Sequence, residues 1–156
     1  MIFTTMTNVS YTITVDPSSS IASYNTMTSS TVTGSNIDND TAAITVGAKS
    51  GNTSEFGTTA TINVTLATIP TANVSIVVTD NDSTEVSITP TTLTITPSTW
   101  NTTNQVTLTG QDDSDNDGNI TFRISFDNAT RTYSKYTGMA PSPSYVDVIN
   151  VDDYAD

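Results

Sequence analysis

The segment Asn8-Val9-Ser10-Tyr11-Thr12-Ile13-Thr14-Val15-Asp16 returns as Asn119-Ile120-Thr121-Phe122-Arg123-Ile124-Ser125-Phe126-Asp127, at a constant offset of 111 residues. Further on, Asn36-Ile37-Asp38-Asn39 returns as Asn150-Val151-Asp152-Asp153 at an offset of 114, so one small insertion in the connecting loop accounts for the difference. Self-similarity at a fixed period marks an array of similar units. A period of about 110 residues is too long for a solenoid turn and suits a whole β-sandwich. The chain reads as the closing strand pair of one repeat (1–37), an acidic linker (38–41), one complete domain (42–151) and the start of the next linker (152–156).

Apolar residues alternate at period two through the complete domain, and helical periodicity is absent. Ile44 and Val46 open it, and Ala60, Ile62, Val64 and Leu66 form one face of a second strand. Val74, Ile76 and Val78 make a third. Val86, Ile88, Leu93 and Ile95 read as one strand broken at Pro90, a placement that suits an edge or a kink. Val106 and Leu108 follow, then Ile120, Phe122, Ile124 and Phe126, then Val146 and Val148. About seven strands joined by Gly, Pro, Asn and Asp turns predict an all-β, two-sheet sandwich. Trp100, the only tryptophan, is expected to plug the open end of its core, with an exposed ligand-stacking role as the alternative.

The acidic residues outnumber the basic ones by 16 to 4, for a net charge of −12. Such a surface repels nucleic acid and anionic lipid, which bind through clustered cations, and it attracts divalent metal. No apolar run approaches the roughly 20 residues that cross a bilayer, so no direct membrane insertion is expected. Cysteine is absent, which excludes disulfides and thiolate metal sites. Histidine is absent too, and the Ser and Thr hydroxyls lack an evident base. Paired carboxylates could in principle hydrolyse a glycoside, but here they sit on turn loops with few aromatics to hold a sugar. The chain is not expected to be an enzyme.

Strand direction groups the carboxylates. If each strand runs antiparallel to the last, the loops after strands one, three and five share one pole with the exit from strand seven. Those places hold Glu55, then Asp80 and Asp82, then Asp112, Asp113, Asp115 and Asp117, then Asp152 and Asp153. The opposite loops hold only Asp127. Like charges gathered at one pole repel, and calcium, a hard cation taking six to eight oxygen ligands, is the natural neutraliser. Asp and Asn are also ordinary turn formers, so solvated turns remain the alternative. The run Asp112-Asp113-Ser114-Asp115-Asn116-Asp117-Gly118 has the look of an EF-hand start but lacks its distal Glu and flanking helices.

Val106-Thr107-Leu108-Thr109-Gly110-Gln111-Asp112-Asp113, Asp117-Gly118-Asn119-Ile120-Thr121-Phe122 and the closing Asn150-Val151-Asp152-Asp153 resemble the Calx-β repeats of bacterial surface proteins. Ser54-Glu55-Phe56-Gly57-Thr58-Thr59-Ala60 and Pro97-Ser98-Thr99-Trp100-Asn101 are similar to further parts of those repeats. The likeness spans about residues 38–153, and 8–40 match the C-terminal part of a preceding copy. It implies an immunoglobulin-like Greek-key sandwich that binds calcium at one pole. The implied ligands are Glu55, Asp80 or Asp82, Asp112, Asp113, Asp117, and Asp152 or Asp153. Asp38 and Asp40, counterparts of Asp152 and the residue two beyond, would serve the preceding joint.

The expected function is a structural repeat module of an extracellular or cell-surface stalk, filament or adhesin, with calcium stiffening the joints. Its partners would be neighbouring repeats or filament subunits. The alternative is a carbohydrate- or protein-binding domain acting directly in adhesion through Tyr133, Tyr136 and Tyr145. Residues 8–35 supply only two strands, and an isolated hairpin is marginal in water. It is expected to complete a sheet with strands from elsewhere.

Overall fold

A computed structural model of the chain describes residues 8–18, 20–113, 117–130 and 135–152. No described residue is helical, and therefore no helix is long and apolar enough to cross a membrane. Among the described residues, eleven strands form three sheets. Two compact units are present, residues 8–40 and the sandwich that follows from residue 41.

The first unit is a hairpin of β1 (Val9–Val15) and β2 (Ser30–Asn36). The second holds β3 (Ile44–Lys49), β4 (Thr53–Ser54), β5 (Thr59–Leu66), β6 (Val74–Asp80), β7 (Val86–Thr89), β8 (Thr92–Ile95), β9 (Asn104–Gly110), β10 (Ile120–Phe126) and β11 (Tyr145–Val151). One sheet runs β4-β11-β10-β6-β8 and the other β3-β5-β9-β7. The connections β5 to β6 and β9 to β10 cross between sheets, giving a Greek-key sandwich. Alternation explains the layering, since successive side chains leave a strand on opposite sides. In β5, Ala60, Ile62, Val64 and Leu66 are buried while Thr59 and Asn63 face solvent. They meet Val74, Ile76, Val78, Phe122, Ile124, Phe126 and Val148 of the facing sheet in one core.

Two features depart from the sequence expectation, and a third adds to it. The strand expected over 86–95 is two strands in different sheets: β7 pairs with β9, and β8 pairs with β6. Pro90 lacks the N–H a continuing ladder needs, and the chain changes sheets there. The second departure is β4, only two residues long, which pairs in parallel with β11 through Asn150↔Thr53 and Val151↔Ser54. Third, the connection from β10 to β11 is tied into the fold. The Val46 N–H donates to the Ser142 carbonyl at 3.0 Å, and the Ser142 N–H donates to the Ile44 carbonyl at 3.0 Å. Trp100 is half-buried against the core, and its carbonyl accepts the Leu66 N–H.

Tyr136 locks that end of the sandwich. It is fully buried; its hydroxyl accepts the Thr68 N–H at 2.9 Å and lies 2.8 Å from the Thr68 carbonyl. Tyr136→Phe leaves a buried donor and a buried acceptor unpaired, so we expect a loss of about 2 kcal/mol in urea unfolding. A loss below a few tenths would mean that water reaches both groups.

The hairpin reproduces β10–β11 in register. Val9↔Asn36, Tyr11↔Gly34 and Ile13↔Val32 match Ile120↔Asn150, Phe122↔Val148 and Ile124↔Val146, position for position. The capping bond recurs as well: the Asp38 N–H donates to Asn8 Oδ1 at 2.9 Å, as the Asp152 N–H does to Asn119 Oδ1 at 3.1 Å. Burial separates the two copies. Phe122, Ile124 and Phe126 are at most 3 % exposed, while Val9, Tyr11, Ile13, Val15 and Val32 lie between 48 and 62 %.

Candidate metal centre

Three carboxylates converge at one pole. The turn after β6 is closed by the Thr84 hydroxyl, which donates to Asp82 Oδ1 at 2.6 Å, and by the Glu85 N–H directed at the Asp82 carbonyl. This sets Glu85 immediately before β7, only 3 % exposed. The Gln111 N–H donates to the Glu85 carbonyl at 3.0 Å, prolonging the β7–β9 ladder by one step and bringing Asp113 close behind. From the other side, Asp117 precedes Gly118, whose φ of 77° is the left-handed conformation that glycine adopts without strain. The Gly118 N–H donates to Asp152 Oδ2 at 3.0 Å, tying the loop to the strand exit. Carboxylate oxygens of Glu85, Asp113 and Asp117 lie within 4.8 Å of one another.

Asn150 supports the group from below. Its Nδ2 donates to Glu85 Oε2 at 3.1 Å and to the Gln111 carbonyl at 3.0 Å. Both partners are acceptors, which fixes the amide orientation. Its Oδ1 is buried without a hydrogen-bond partner, an arrangement that carries a desolvation cost. Burial pushes the Glu85 carboxyl above its ordinary value. The Asn150 amide opposes this by donating to the charged form, while Asp117, Asp82 and Asp113 add repulsion that raises it further.

The expected ligands divide accordingly. Asp113 and Asp117 belong to the trio, Asp82 adds charge beside it, and Asp152 bonds the Gly118 backbone next to it. Glu55 is buried after β4 with its N–H on the Val151 carbonyl, and it stands outside the trio. Asp80 ends β6 opposite Ile124, and Asp112 is exposed; neither joins the three. Asp38 and Asp40 lie in the hairpin unit, where the Asp40 N–H donates to Asp38 Oδ1 at 3.1 Å. Asp115 and Asp153 fall outside the described residues.

Glu85 is the residue that sequence reading missed. It stands at a strand start instead of in mid-loop, so grouping acids by turn passed over it. Asn150 carried a readable signal, because it is one of the few residues identical in both copies, with Asn36 as its counterpart.

Of the three expected tyrosines, the two that are described lie apart: Tyr136 is in the core and Tyr145 is exposed. Tyr136 is buried against Thr68, and Tyr133 falls outside the described residues. Tyr145 lies on the outer sheet face under Arg123, whose Cζ is 3.8 Å from the ring centroid. The same guanidinium forks onto Asp147, from Nε to Oδ1 at 2.8 Å and from Nη2 to Oδ2 at 3.1 Å. That fork holds the Asp147 carboxyl below its ordinary value.

No protein-family model matches the chain, and neither a curated protein nor a solved structure matches it.

Proposed function

We propose that the chain is a structural repeat module of an extracellular stalk, filament or adhesin, in which calcium at the acidic pole stiffens the joints between repeats. The observation that carries this reading is the hairpin. Strand pairing, register and the Asn-to-Asp capping bond are all duplicated in one chain, as a tandem array requires. In each copy the backbone leaves its last strand beside that cap, at Asp38 and at Asp152.

The donor set at the pole suits a hard divalent cation. Glu85, Asp113 and Asp117 would supply three carboxylates, and the Asn150 amide would hold Glu85 from beneath. All four are oxygen-bearing groups with no soft ligand among them, which favours calcium over zinc. At affinities of extracellular modules, roughly 10⁻⁴–10⁻³ M, millimolar calcium adds about 0.4–1.4 kcal/mol per site. That is small for the fold and sufficient to restrict a flexible joint.

Glu85 provides the test. A carboxyl whose folded pKa lies above its unfolded value of 4.5 stabilises the fold while protonated and loses that contribution as pH rises through the folded value. Without metal, the chain is therefore expected to unfold more easily at pH 7 than at pH 5. Asp147, shifted the other way, is ionised throughout that window and adds no slope. Glu85→Gln should raise the metal-free midpoint at pH 7, flatten the slope between pH 5 and 7, and remove the gain on adding millimolar calcium. Thermal unfolding in calcium and in excess EDTA reads all three. Identical curves for the parent chain in both buffers would reduce the pole to solvated turns.

A further inference from the structure

We propose that the β1–β2 hairpin is the closing strand pair of a second sandwich, and that its apolar face seats on a seven-strand remainder laid out like β3–β9, carried by another repeat of the same domain. The inference rests on the repeat reading above and specifies the partner surface. The hairpin is two-faced. Val9, Tyr11, Ile13, Val15 and Val32 share the face whose counterparts in β10 and β11 are Ile120, Phe122, Ile124, Phe126 and Val146. The other face is Ser10, Thr12, Thr14, Thr31, Thr33 and Ser35 without exception. Such segregation fits a sheet with one dry and one wet side, yet the apolar side is exposed along its whole length.

The sibling pair shows what covers such a face. Phe122, Ile124 and Phe126 are buried by the opposite sheet, whose inward residues include Ile62, Val64, Val106 and Leu108. The edges carry the same message. β10 pairs with β6 through Ile124, Ser125 and Phe126, and β11 pairs with β4 through Asn150 and Val151. The matching hairpin positions are Ile13, Thr14 and Val15 on one edge and Asn36 and Ile37 on the other. A β6-like strand would add to the first edge and a β4-like strand to the second. Ring and glycine also fit a dry face: the Tyr11 ring lies over Gly34, so close that a Cβ there would stand 2.5 Å from Tyr11 Cζ. Glycine lets the ring lie flat across the pair, where the sibling places Phe122 beside Val148.

The test extends the full chain at its N-terminus, so that residues 41–118 precede residue 8 as they precede residue 119 in the complete domain. Hydrogen exchange by NMR then reads the β1–β2 amides. Exchange of these amides at least 100-fold slower than in the unextended chain is the expected result. Ile13→Asp, on the apolar face, should abolish the slowing, and Thr12→Asp, on the Ser/Thr face, should preserve it. Unchanged exchange after extension would overturn the proposal. So would slow exchange in the unextended chain that strengthens with concentration, which would make a second hairpin the occupant. Slow exchange after extension, combined with no response to calcium, would sustain the proposal and remove the calcium-stiffened joint.

Discussion

Replacing Phe122 by Ala is expected to destabilise the sandwich by about 4 kcal/mol, whereas Tyr11→Ala at the matching position leaves its unfolding free energy within about 0.5 kcal/mol. Phe122 is among the largest fully buried side chains, on the central strand β10 between β11 and β6. Truncating it removes ring contacts with both sheets, and the flanking Ile124 and Val148 are themselves fully packed, so the space cannot close. Tyr11 has the same neighbour relations along its hairpin but no opposite sheet, and more than half of it is exposed. Urea unfolding of the two variants, followed by near-ultraviolet signals of the sandwich, makes the comparison. Equal losses would mean that the hairpin and the sandwich share one core, contrary to their separation into two units.

Gly110→Ala is the second large effect, about 3 kcal/mol. Gly110 does not need positive φ; it needs the absence of a side chain. A Cβ there would overlap the Ser54 carbonyl oxygen and approach Asn150 Oδ1 to 2.5 Å. These are backbone and buried groups with nowhere to move, since β4 is held by Asn150↔Thr53 and Val151↔Ser54. The substitution therefore forces β4 off β11 or Asn150 off Glu85. Either displacement disturbs the carboxylate trio, so the same variant should lose, along with its stability, the calcium response proposed above for that pole. Gly51→Ala provides the control, because a Cβ at Gly51 meets no atom within 4 Å. Equal stability of the two variants would show that β4 yields freely.

Period-two alternation made the sandwich legible, because burial on one side of a strand imposes its signature on every second residue. Ala60, Ile62, Val64 and Leu66 announce their buried face without any knowledge of what covers it. The split of 86–95 was only half legible. Pro90 marked an interruption, but a ladder can break at a kink or at a change of sheet, and the choice depends on which strands stand nearby. β4 left no signal, since two polar residues cannot alternate; Thr53 and Ser54 are strand by virtue of their pairing with β11.

The acidic pole shows the same division. Antiparallel order alone brings the relevant loops to one end, and charge composition alone suggests a cation. Which three carboxylates meet is a matter of angstroms. Asp112 and Asp113 are indistinguishable in sequence, yet the first is exposed and the second joins Glu85 and Asp117. Glu85 owes its place to the Asp82 turn and to the extra ladder step at Gln111. Sequence by itself determined the repeat, its register and its two-faced strands, because these are properties of order along the chain. Tertiary structure alone decided where Pro90 leads, which acids converge and which copy of the closing pair is covered, because burial depends on what lies across the sheet.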